Sequence, residues 1–230
     1  MARHRAPRKS RRLRSLITAF ALTATGLVVA SGPASAASLL GGRAYVLSAH
    51  GLLNVSPVED TGVVAQAGDS FTGGCALPIK LGTLLAADGL CANVSTGVPP
   101  AVLAPSASAT ASAANVSVGV SPVPSLPALN TVISLRSVTA ASVSACNGSQ
   151  TVQKGDTVVG FLQVGTRVLI PHLIHPAKNQ TIKLLGITIV LNQQSTVAGV
   201  LTVNAVHITI PNVQDIVVAS ASSAAYCSPA

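Results

Sequence analysis

Beyond residue 40, apolar and polar side chains alternate with a period of two in short runs, each closed by Gly, Pro or Asn. Successive residues of a strand point to opposite faces, so this alternation reads as half-buried strand. Tyr45, Leu47 and Ala49 against Val46, Ser48 and His50 predict a first strand, and residues 115–120 alternate as cleanly. Residues 133–146 hold one or two further strands. Asn147-Gly148 then predicts a type I′ hairpin turn, because both residues tolerate positive φ. Residues 157–164 and 166–170 follow, split by Gly165, and Ile187, Ile189 and Leu191 share a face opposite Thr188, Val190 and Asn192. Residues 200–210 form a long β-rich run whose phase slips at Ala205-Val206. Leu201 and Val203 fall on one side, then Val206, Ile208 and Ile210 on the other, so either both faces are buried or a bulge re-aims the strand. Residues 216–219 close the series. No helical period is sustained. The pattern predicts an all-β, antiparallel β-sandwich-like single domain, with a β-solenoid as the alternative.

One stretch departs from the alternation as read by eye. Residues 97–114, GVPPAVLAPSASATASAA, are rich in Pro, Ala and Ser and uncharged, and are expected to form a flexible excursion. A second proline cluster, Pro122, Pro124 and Pro127, marks a possible division. One domain is preferred, because residues 37–96 alone contain few long strands.

Charge changes the picture at one end only. The net charge of +8 suggests nucleic acid, but seven of the 14 basic residues (Arg3, Arg5, Arg8, Lys9, Arg11, Arg12, Arg14) lie in the first 14 positions. The remaining seven bases face six acids, which excludes a nucleic-acid-binding surface on the body of the chain. That basic arm, the apolar run of residues 16–30 and the triplet Ala34-Ser35-Ala36 have the three parts of a secretory signal. Cleavage is expected after Ala36, leaving residues 37–230 as a secreted β-domain. The apolar run is shorter than the roughly 20 residues a spanning helix needs. Residues 226–230 carry neither an apolar tail nor a basic stop. The product is therefore expected outside the cell, associated with its surface, with no membrane span after cleavage. With 2% aromatic residues and no Trp, its core must be built from Val, Ile, Leu and Ala.

Four cysteines, Cys75, Cys91, Cys146 and Cys227, follow the leader. An even number in an oxidising compartment predicts two disulfides, with three possible connectivities. Cys75–Cys91 and Cys146–Cys227 are favoured: the first closes a local loop, and the second ties the end of the chain to its middle. In the loop-entropy treatment they contribute roughly 3 and 4.5 kcal/mol. No C-x-x-C pair supports thiolate metal binding.

The search for catalytic chemistry assigns no residue. His172 and His175 lie in Pro171-His-Leu-Ile-His-Pro176, where proline blocks the helix that would bring them onto one face. In a strand they would point apart, so they are read as flanking polar side chains. His50 and His207 fall in predicted strands. Glu59 and Asp60 lie beside Pro57, and Asp69, Asp88 and Asp156 each adjoin Gly, as turn residues do; Asp215 completes the acids. A Ser–His–Asp set or a carboxylate pair would have to be assembled in space. No G-x-S-x-G, phosphate loop, dinucleotide fingerprint or H-E-x-x-H occurs, so no catalytic, cofactor-binding or metal-binding residue and no cofactor is assigned. Sequons at Asn54, Asn93, Asn115, Asn147 and Asn179 are explained by the abundance of Ser and Thr.

The C-terminal half carries a specific run. It comprises Asn179-Gln180-Thr181-Ile182; Gly186-Ile187-Thr188-Ile189-Val190-Leu191-Asn192-Gln193-Gln194; Leu201-Thr202-Val203-Asn204-Ala205-Val206-His207-Ile208; and Asp215-Ile216-Val217-Val218-Ala219-Ser220. This resembles the choice-of-anchor P family of secreted or surface proteins of actinobacteria, with residues 40–60 and 110–227 covered. Gln193 stands where the family pattern has an acid, and the sorting tail or anchor of many members is absent. The resemblance implies an extracellular domain and supplies no catalytic residue. The leading expectation is a secreted, non-enzymatic envelope or surface β-domain, structural or adhesive, whose partner is an envelope polymer or a second copy of itself. The alternatives are a secreted hydrolase with a site of scattered Asp, Ser and His, and a surface-active self-assembling protein. Intact-mass measurement of secreted material is expected to give a chain that starts at Ala37; a mass that retains Met1 refutes cleavage.

Overall fold

The alternating runs become strands in the computed structural model, which describes residues 39–66, 68–98, 101–120 and 131–227. The leader with its Ala36 site and the cluster Pro122, Pro124 and Pro127 lie outside the described residues. The chain enters on β1 (Leu39–Gly51) and returns on the short β2 (Val55–Val58) and β3 (Val64–Gln66). It then builds β4 (Ser70–Ala76), β5 (Ile79–Leu81), β6 (Leu85–Asp88) and β7 (Leu90–Gly97). The long β8 (Ser106–Val120), β9 (Thr131–Asn147) and β10 (Gln150–Val164) follow, then β11 (Arg167–Ile170). Last come β12 (Gln180–Leu184), β13 (Ile187–Val197), β14 (Val200–Ile210) and β15 (Gln214–Tyr226).

These strands form two antiparallel sheets packed as a sandwich. Sheet A runs β12-β13-β14-β15-β1-β2, with β3 also on β1, and sheet B runs β11-β10-β9-β8-β6-β5. In sheet B, β6 and β7 lie end to end along β8, and β4 pairs with β7. Chain neighbours are sheet neighbours from β7 to β11 and from β12 to β15, and the first strand, β1, closes against the last, β15. β15 packs over β8 and β9, β1 over β7 and β8, and β14 over β9 and β10. One aliphatic cluster, drawn from residues between Ala44 and Ala221, fills the space between the sheets.

A row of kinks crosses each sheet. In sheet A it passes through Val46, Ala219, Ala205 and Asn192, which are register neighbours on β1, β15, β14 and β13. In sheet B it passes through Gly89, Ala114, Ser137 and Gly160. Alternate members of each row have positive φ: Ala219 (56°) and Asn192 (50°), and Gly89 (61°) and Ser137 (52°). At the sheet A row two successive side chains face inward, as in Leu191-Asn192, Ala205-Val206 and Val218-Ala219, all buried. At the sheet B row two successive side chains face outward, as in Ala114-Asn115 and Arg136-Ser137. The phase slip read at Ala205-Val206 is therefore a local kink that re-aims the strand. It is shared by its neighbours, so the ladder keeps its register. A non-glycine residue at positive φ costs on the order of 1 kcal/mol, least for Asn.

The structure corrects the sequence reading at several places. Two antiparallel sheets replace the alternative solenoid. Residues 106–114, expected within a flexible excursion, belong to β8, a central strand of sheet B. There Ala107, Ala109, Ala111 and Ala113 are buried, and Ser106, Ser108, Thr110 and Ser112 take the opposite face. Alanine ranks low in strand propensity, but packing against β1 and β15 overrides that preference. The hairpin at Asn147-Gly148 forms one residue later. Asn147 pairs with Gln150, and Gly148-Ser149 is the two-residue loop. Positive φ at Gly148 but not at Ser149 is the pattern of a type II′ turn, rather than I′.

Both favoured disulfides form, Cys75–Cys91 and Cys146–Cys227. Such bonds belong to an oxidising environment. Beside the second, a buried polar seam joins the sheets. The hydroxyls of Ser142 and Ser144 on β9 lie 2.7 and 2.9 Å from that of Ser223 on β15. Ser142 donates to Leu201 O (3.2 Å), and Gln153 Nε2 donates to Ser144 Oγ (3.1 Å) and Gly199 O (2.8 Å). Each buried hydroxyl has a partner, so the seam avoids the cost of an unsatisfied polar group.

The kink at Gly89 is tight: a Cβ there would stand 2.5 Å from Ala114 Cβ, while at Gly148, of equal φ, it would meet open space. Gly89→Ala is expected to lower stability by about 2 kcal/mol or more, and Gly148→Ala by about 1 kcal/mol, the αL cost alone. Denaturant unfolding of the two variants checks the order.

Candidate functional site

The kinks decide what the outer face of sheet A presents. Asn204 and His207 are three residues apart and would point to opposite faces of a regular strand. Because Ala205 and Val206 both turn inward, both polar side chains face outward. The inward pair Val218-Ala219 does the same for Val217 and Ser220 on β15. Register then aligns the outward residues across four strands. Tyr45 pairs with Ser220, Ser220 with Asn204, and Asn204 with Gln193. Two steps along, His50 pairs with Asp215, Asp215 with Thr209, and Thr209 with Thr188.

These side chains are bonded to one another. Ser220 Oγ donates to Asn204 Oδ1 (2.7 Å), and Asn204 Nδ2 donates to Gln193 Oε1 (2.9 Å). His207 Nε2 lies 2.7 Å from Asp215 Oδ1, and Thr209 Oγ1 donates to the same oxygen (3.0 Å). At the β1 border, Arg43 makes a two-pronged ion pair with Asp60 (2.9 and 2.6 Å). Its guanidinium also lies 5.4 Å from the centre of the Tyr45 ring. Asp60 is fixed further by the amide of Gly62 (2.9 Å). The Arg43 hydrogen bonds hold the Asp60 carboxyl below the usual carboxylate range and push the guanidinium above its own.

In a hydrolytic triad the hydroxyl bonds the imidazole; here Thr209 bonds the carboxylate. The other candidates are dispersed. His175 Nδ1 lies 3.3 Å from Asp156, whereas His172 is exposed. Asp156, read as a turn residue, sits inside β10, where the pairing with β9 runs through it. Asp69 accepts from the Val98 amide (2.8 Å) and Asp88 from Asn115 Nδ2 (2.7 Å). Glu59 and Asp60 lie between β2 and β3. Two open depressions, of about 610 and 430 Å³, lie on sheet B. The first is edged by Asp69, Phe71, Ser95 and Ser108, the second by Lys80, Asp88, Asn115 and Arg136; neither is lined by a histidine. Among the described residues no group of three or more His, Cys, Asp or Glu is placed to hold a metal ion.

Sequence reasoning missed Tyr45, Gln193, Asn204 and Ser220 as a set. The signal was the phase slip at Ala205-Val206, which, taken as a kink, puts Asn204 and His207 on one face.

The lowered Asp60 pKa gives a stability contribution present above the ordinary carboxylate range and lost as the pH falls through the folded value. Asp60→Asn is expected to destabilise at pH 7 by under about 1 kcal/mol, since the pair is largely exposed. The difference from wild type should vanish in strong acid, as read by denaturant unfolding at several pH values. Compared with known protein families, curated proteins and solved structures, the chain matches none, so the face is read from its own chemistry.

Proposed function

We propose that the chain is a secreted, non-enzymatic β-domain of the bacterial envelope that serves as a structural or adhesive surface module, in keeping with the choice-of-anchor P proteins it resembles. The observation that carries this reading is the bonded array on the outer face of sheet A, whose hydroxyls and amides hold one another in fixed orientations. Side chains fixed in advance lose little freedom on binding, which suits a recognition surface. Many residues of the run that carries the resemblance, including Gln193, Asn204, His207, Asp215 and Ser220, belong to that array. The leader and the two disulfides support export.

The sheet edges speak against self-stacking. Exposed edges invite pairing with another chain unless charge or proline blocks it. Lys183 stands on β12, Arg167 on β11, Lys80 on β5 and Pro57 on β2, so four border strands carry such a residue, while the border strands β3 and β4 carry none.

The oxidised, secreted protein is expected to co-sediment with washed envelope fragments of the producing cell and to release no soluble sugar or peptide from them. A protein that stays in the supernatant, or that steadily releases fragments, overturns the reading.

A further inference from the structure

The outer array of sheet A has a composition that specifies more than adhesion. Arg43 is paired with Asp60, and Asp215 accepts from Thr209 and lies 2.7 Å from the His207 ring. The rest are hydroxyls and amides. The face therefore carries no cluster of like charge, and it is dense in donors and acceptors. Among the described residues Gln193 Nε2, the Tyr45 hydroxyl and the His50 ring have no protein partner. The internal bonds leave donor capacity at the Gln193 end, while the buried Ser220 fixes Asn204. Tyr45 adds one aromatic ring, steadied by Arg43.

The shape points the same way. The array is part of a sheet surface, whereas small-molecule sites are concave. From Tyr45 to Gln193 it crosses three strand spacings, about 14 Å at ~4.8 Å each. A ligand that uses the whole row must be extended, uncharged and hydroxyl-rich, with an apolar C–H surface for the ring.

We propose that this face binds a neutral polysaccharide, laid across β1, β15, β14 and β13 over Tyr45, Asn204 and Gln193, with the buried Ser220 holding Asn204 from below. The proposal rests on the adhesive reading above and names its ligand. Hydrogen bonds to the amides and hydroxyls supply the specificity, and the ring supplies the apolar contact. The kinks at Ala205-Val206 and Val218-Ala219 make the site, because without them Asn204 and Ser220 would not share a face with His207 and Val217.

Affinity electrophoresis of the oxidised, secreted protein in gels containing a neutral polymer (hydroxyethylcellulose, glycogen, mannan or arabinogalactan) or anionic alginate tests this. Retardation is expected with at least one neutral polymer, unchanged between low and high salt because the polymer carries no charge for salt to screen. Tyr45→Ala and Gln193→Ala are expected to weaken it about tenfold each, while Ser108→Ala on the opposite sheet leaves it unchanged. Both array substitutions are at partly exposed positions, and thermal unfolding checks that the variants fold; if one does not, the other decides. The proposal falls if no neutral polymer retards the protein, if only alginate does so and salt abolishes it, or if the array substitutions have no effect. Co-sedimentation with envelope fragments separates the two readings: adhesion without retardation overturns the polysaccharide alone, and absence of both overturns the adhesive function as well.

Discussion

A kink in one strand of an antiparallel sheet cannot stand alone, because its neighbours must follow it or lose the hydrogen bonds of the ladder. This constraint organises both sheets. Each has a transverse row at which every strand from β1 to β13, or from β6 to β10, changes phase together. The register on either side of the row is unchanged. Positive φ is carried by alternate strands, through Asn192 and Ala219 in one sheet and Gly89 and Ser137 in the other. The row sets which residues reach the core, and it also sets which polar residues meet on the outside.

The core answers a different problem. With almost no aromatic residues, it is assembled from many small aliphatic contacts, and its alanine-rich part lies where β8 faces β1 and β15. Small side chains bury little apolar area each, at roughly 25 cal/mol per Å². The chain compensates with covalent and polar ties: the Cys146–Cys227 bond and the Ser142–Ser144–Ser223 seam hold the two sheets at one end. At the other side of the interface Thr157 and Asn192 meet, and Asn192 also bonds Pro176 O. Each of these polar groups is satisfied, so polarity in the core here joins the layers instead of weakening them.

The same economy appears on the surface. A sheet face orders its polar side chains when they are held by one another rather than by a cleft. In this chain a serine, an asparagine and a glutamine from three strands form one relay, and a histidine, an aspartate and a threonine form a second group beside it.

Local alternation was enough to read the all-β class, the aliphatic core and the strands β1, β8 in part, β9–β11 and β13–β15, because the period of two is a property of neighbouring residues; β2–β7 and β12 were not read from it. Cysteine positions favoured the disulfide pairs that form but left three connectivities open, and the paired strands decide between them. Alternation misjudged residues 106–114, since alanine signals a buried face weakly until an opposing sheet is known. It placed the Asn147-Gly148 turn one residue early, since loop register depends on the pairing of both strands. The surface array was beyond it. Whether Asn204 shares a face with His207, and whether Ser220 lies beside Asn204, depends on a kink propagated through hydrogen-bonded neighbours that are distant in the chain. Sequence determines which residues alternate; only the paired sheets decide where the alternation breaks, and therefore which side chains meet.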